Sequence, residues 1–199
     1  MSYNKELICS KLLRWERFIE AYHLPVWNEL PSLELYMDQV IILLTQYLSF
    51  IPLSSEEDKL ITASIINNYV RMKVIPPPVK KKYSRIHIAY LIMICILKQS
   101  LNISSIQKII PCDLTEEELS AIYTDFAEKH SSVADNFVKL IRASAADILD
   151  PANTDNNVID RFVMESALTT NYFKLLTEKI IRLQNTDTVP AEVTESLQS

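Results

Sequence analysis

The chain has 199 residues, of which 48% are apolar and 23% charged, with a net charge of −5. That is the profile of a soluble globular protein with a core of its own. It contains no glycine, which argues against phosphate-cradling loops, dinucleotide-binding turns, a G-x-S-x-G nucleophile elbow and tight two-residue hairpins, because each needs a backbone free of Cβ. Composition therefore points to a mainly all-α protein without nucleotide-dependent catalysis.

Apolar spacing predicts a first helix over residues 5–22, with Leu12, Trp15, Phe18, Ile19 and Tyr22 on one face. Pro25 and Pro31 bracket a loop carrying Trp27. Ser32 is a candidate cap for a second helix reaching about Leu48, and Pro52 stops it. Ser54 with Glu57 resembles a capping box. Thr62 is placed to cap a helix over residues 63–73, and Pro76, Pro77 and Pro78 then hold the chain extended. The apolar run from Ile86 to Gln99 is rich in β-branched residues, yet it is too long for a typical strand and has no strand-like partner, so it reads as a buried helix opened by Ser84.

Ser104 is the expected cap of a short helix before Pro111. Thr115 and Glu118 form a capping box, with Leu114 and Leu119 as its hydrophobic staple, ahead of a stripe of Leu119, Ile122, Tyr123 and Phe126. Separate helices are expected over residues 133–149, ended by Asp150 and Pro151, and over residues 158–183. The polar, patternless stretch 185–199 reads as a disordered tail. This gives an N-terminal helical extension (1–30), a central unit (31–112), a C-terminal helical part (113–184) and the tail.

Charge is segregated. From Lys59 to Cys112 there are nine basic residues and no Asp or Glu, whereas the rest of the chain holds 11 basic and 25 acidic residues. Such a block suggests an anionic partner. Within it, Ser64, Asn67, Asn68 and Arg71 fall at i, i+3, i+4 and i+7, so a helix would carry them on one face. The opposite, apolar face takes Ile65, Ile66, Tyr69, Val70 and Met72. Asn pairs with adenine in bidentate fashion, Arg with guanine, and Ser reaches a phosphate or a base. Lys73 follows, and then the basic strip Lys80, Lys81, Lys82, Tyr83 and Arg85, where lysines suit phosphates as point charges. Tyr83 either packs beneath this strip or touches the sugar-phosphate backbone. Two other readings stay open: the three prolines as a polyproline ligand for a protein groove, and Pro78 to Lys82 as an import address.

The stretch from Thr62 to Ile109 resembles the winged helix-turn-helix of the MerR family of bacterial regulators. Tyr69, Val74-Ile75-Pro76, Lys82-Tyr83, the helix from Ser84 to Gln99 and the segment Ser104 to Ile110 follow the family's order. The departures are Asn68 in place of the first tyrosine of a pair, Lys73 in place of a helix-ending glycine, and lysine in place of the wing arginine. More of the chain is similar to a bacterial family known as domain of unknown function 1836. This similarity rests on Leu30-Pro31, Leu35 to Val40, and Ile61 to Lys98, above all Ile66-Asn67-Asn68-Tyr69-Val70 and Pro76 to Ser84. The resemblance implies MerR-like binding of double-stranded DNA in a bacterial cytoplasm.

No catalytic or metal constellation is expected. His23, His87 and His130 stand apart from other ligand types. Glu116, Glu117 and Glu118 suit the positive end of a helix. Three scattered cysteines, Cys9, Cys95 and Cys112, suit a reducing compartment, and the longest apolar run, Ile88 to Leu97, is too short to span a membrane. The expectation is a DNA-binding transcriptional regulator that is not an enzyme, needs no cofactor, and forms a homodimer through residues 158–183. The alternative is an all-helical protein-binding adaptor.

Overall fold

The computed structural model describes residues 3–52, 59–153, 155 and 157–184. The fold is mainly α-helical. Helices α1 (Lys5–Ala21), α2 (Met37–Tyr47), α3 (Ala63–Arg71), α4 (Arg85–Leu97), α5 (Ile103–Ile109), α6 (Glu116–Ser144), α7 (Ala146–Leu149) and α8 (Val158–Leu183) are joined by one small antiparallel sheet of β1 (Leu35–Tyr36) and β2 (Lys82–Tyr83). Among the described residues, no helix is long and apolar enough to cross a membrane. The Ser54–Glu57 box and the tail 185–199 lie outside the described residues.

α4 is the axis of the core. Nine consecutive residues, His87 to Cys95, are buried, as a helix with no polar face requires. α2, α6 and β2 pack around it. Buried tyrosines tether the loops to this core. The Tyr90 hydroxyl donates to the Pro111 carbonyl at 2.7 Å, and the Tyr123 hydroxyl donates to that of Pro25 at 2.8 Å. Burial pushes the Cys95 thiol up to about 12, so it behaves as a small hydrophobe. α1 is clamped to α6 by Arg142, whose guanidinium holds both Glu16, which is buried, and Glu20.

Several boundaries depart from the sequence reading. Ser32 does not cap α2. The chain stays extended through β1, because Leu35 and Tyr36 pair with Tyr83 and Lys82, and the helix starts at Met37. Asn102, not Ser104, caps α5: its Oδ1 accepts from the Ser105 backbone N–H at 2.9 Å. Residues 116–144 form one unbroken helix, not two. The apolar stripe pauses after Phe126, but no proline or cap interrupts the backbone there, and an Asp125–Lys129 pair at i,i+4 spans the gap. The Thr62 and Thr115 caps and the limits of α8 stand as expected.

Candidate nucleic-acid interface

The first local reason for the site is the Thr62 cap, whose Oγ1 accepts from the Ile65 N–H at 3.2 Å. It starts α3, and the helix buries Ile66 and Tyr69. That choice of inward face sends Ser64, Asn67 and Arg71 outward to solvent. Met72, expected on the apolar face, is instead exposed, because the helix has ended by then. Ser64, Asn67, Asn68 and Arg71 line one groove, as their spacing predicted. The groove has a volume of ≈900 Å³, and its wall is completed by Lys98 at the end of α4 and Ile103 at the start of α5. Asn68 is half-buried: its Oδ1 accepts from Arg71 Nη2 at 2.6 Å, which orients the guanidinium. Lys98 was not singled out from the sequence, although it lies in the same acid-free stretch.

α3 ends in a Schellman motif. Val74 N–H donates to the Tyr69 carbonyl at 2.8 Å, Lys73 N–H to that of Val70 at 3.0 Å, and Lys73 takes a left-handed φ of 54°. Gln107 of α5 reaches across to the Met72 and Lys73 carbonyls. Beyond the prolines, Val79 and Lys82 exchange two backbone hydrogen bonds of 3.2 and 2.9 Å. Lys80 and Lys81 between them have φ of 50° and 64°. This is a two-residue hairpin with positive φ at both central positions, the geometry that ordinarily demands glycine or asparagine. A glycine-free chain was expected to lack such turns; here two exposed lysines accept the strain, and tertiary pairing of Lys82 and Tyr83 with β1 holds the strand in place.

The basic strip is not uniform. Lys80 and Lys81 are exposed. Lys82 is partly engaged, with its ammonium 3.9 Å from Glu34 and 5.7 Å from the centre of the Tyr36 ring. Tyr83 is only 3% exposed and packs edge-on against His87, so it supports the hairpin from below and cannot touch a backbone phosphate. Arg85 is turned into the fold: its Nε donates to the Leu30 carbonyl at 3.2 Å and its guanidinium lies over Trp27. His87 ties the prolines to α4. Its Nδ1 accepts from the Ser84 N–H at 3.0 Å, leaving Nε2–H to donate to the Pro77 carbonyl at 3.3 Å. Burial pushes its pKa below the usual histidine range.

Among the described residues, no cluster of three or more His, Cys, Asp or Glu side chains could hold a metal ion. What the fold and groove define is a mainly helical protein organised around one buried helix, with a polar helix face and a strained basic hairpin on a glycine-free scaffold. The family model for "Domain of unknown function (DUF1836)" matches residues 25–126, and the chain belongs to that family. The match runs from the loop before β1 into the first turns of α6, and so contains the whole groove and hairpin. No curated protein and no solved structure matches the chain.

Proposed function

We propose that the protein is a sequence-specific regulator that binds double-stranded DNA through a MerR-like winged helix-turn-helix and acts as a homodimer. In this reading α3 enters the major groove, Ser64, Asn67 and Arg71 meet base edges, and Asn68 presents Arg71. The hairpin is the wing, with Lys80, Lys81 and Lys98 against phosphates. The carrying observation is the hairpin tip. Left-handed lysines are each disfavoured by about 1–2 kcal/mol, and such strain collects where function uses it. Two ammonium groups at an exposed, strained tip, in a stretch without acids, suit a polyanion. The lysines act as positioning charges and α3 as the reader.

The test is binding to mixed duplex fragments between low and physiological salt. The logarithm of the binding constant should fall linearly with that of salt, by about 0.9 per phosphate contact. Absence of binding at low salt, or a flat response, would refute the reading. One observation favours the protein-binding adaptor: between Met164 and Ile180, seven large apolar side chains of α8 are more than half exposed. A second copy of the chain on that face accounts for them equally, and supplies the second recognition helix that a specific site needs.

A further inference from the structure

α8 is held by its own chain at both ends. Val158 and Ile159 belong to the small core against α1, and Ile181 is turned into the main core. Between them every residue from Val163 to Thr177 is exposed, so nothing in this chain covers the middle of the helix. The side chains there are arranged symmetrically about Tyr172. Leu168 and Leu176 stand four residues to either side of it, Glu165 and Lys179 seven, and Met164 and Ile180 eight. Tyr172, Met164 and Ile180 are each at least 60% exposed. Seven residues fall about 20° short of two full turns, so Glu165, Tyr172 and Lys179 form one row along the helix. The two leucines lie beside that row.

The order of residue types is the same in both directions from Tyr172, except that charge is reversed. Apolar matches apolar across the centre, and acid matches base. The neighbouring arginines have partners of their own, Arg161 in Asp155 and Arg182 in Glu178. Glu165 and Lys179 are exposed, and among the described residues neither forms an ion pair. An apolar groove closing over this row would strip both charges of water and leave them unpaired, which is costly. A second α8 running the same way would set Glu165 on Glu165 and Lys179 on Lys179, and like charges in register repel. A second α8 running the opposite way sets each charge against its complement.

We propose that two copies of the chain pair antiparallel along α8, about a two-fold axis at Tyr172, with Glu165 of each copy against the partner's Lys179. Leu168 then meets the partner's Leu176, and Met164 the partner's Ile180. The two ion pairs flank the axis at about 10 Å on either side, and each contact occurs twice, as a two-fold interface requires. This pairing rests on the homodimer reading above and fixes its direction and register.

The test compares the wild-type chain with Glu165→Lys, Lys179→Glu and the double exchange by sedimentation equilibrium at low salt, without DNA. Circular dichroism checks that each remains folded. Either single exchange puts two like-charge pairs into the interface and should weaken the dimer roughly tenfold. The double exchange reverses both pairs and should restore wild-type affinity. Mixing Leu168→Cys chains with Leu176→Cys chains under copper–phenanthroline oxidation should give a disulfide-linked dimer that neither variant, nor the wild-type chain, gives alone. A wild-type dimer indifferent to the exchanges, or a dimer cross-linked from Leu168→Cys alone, would overturn the antiparallel pairing and leave the homodimer reading standing. A wild-type monomer would overturn both, and DNA binding is decided separately by its salt dependence.

Discussion

Lys73, Lys80 and Lys81 hold the three positive φ angles among the described residues, and no glycine is available to relieve them. If the hairpin lysines serve phosphate contact, stability and affinity must pull apart there. Lys81→Gly should stabilise the fold by about 1 kcal/mol, raising Tm by roughly 2–4 °C, while weakening DNA binding in a filter or anisotropy assay. A gain in stability with unchanged affinity would remove the wing from the interface. The groove residues should behave differently. Arg71→Ala or Asn67→Ala should cost about 1–3 kcal/mol on a selected site and relax preference at one position. Lys80→Ala should weaken all sequences alike, and Lys82→Ala, already tied to Glu34 and Tyr36, should do less. Comparing competition profiles of the four variants checks this pattern. Residue type and spacing were enough to bring Ser64, Asn67, Asn68 and Arg71 together, because helical period alone decides that. They were not enough for Tyr83 and Arg85, whose chemistry is the same whether they face DNA or pack on His87 and Trp27.

Elements were legible where their signals were local. The Thr62 cap, the Thr115–Glu118 box and the limits of α8 needed nothing beyond neighbouring residues. β1 was not legible, since its two residues pair with partners 48 and 46 residues further on and two residues carry no period. The junction of the proline segment with α4 has its own measurable consequence. His87 is buried and neutral, with Nδ1 accepting from Ser84 and Nε2 aimed at Pro77. In the unfolded chain its pKa returns to about 6.5, so below that value the unfolded state binds the more protons and stability declines. His130, also lowered, acts in the same direction. Full stability should therefore hold above about pH 6.5 and fall as the pH drops through the folded values. Urea melts between pH 7.5 and 5 check the slope. His87→Gln, which keeps an acceptor for the Ser84 N–H at the capping-box position, should flatten it in part.

The whole molecule poses the question of α8. Its first turns pack Val158 and Ile159 against Ile148 and α1, and near its other end Ile181 joins the main core. Phe162 still packs on the first anchor, but from Val163 to Ile180 the large apolar side chains are exposed. An exposed apolar surface of that extent is unusual for a monomer, and a two-fold pairing would cover it. Sedimentation equilibrium at micromolar concentration should give about twice the chain mass, and Leu175→Asp should return a folded monomer with an unchanged far-ultraviolet spectrum. A wild-type monomer would leave α8 to a different partner. The sequence by itself determined the helical class, the buried α4 and the common face of the α3 polar residues, because these depend on composition, run length and period. Only the tertiary structure decided which of the basic residues are free. It alone paired β1 with β2, drove Lys80 and Lys81 into left-handed backbone and turned Arg85 onto Trp27, since each of these depends on a partner distant in the chain that local preference cannot see.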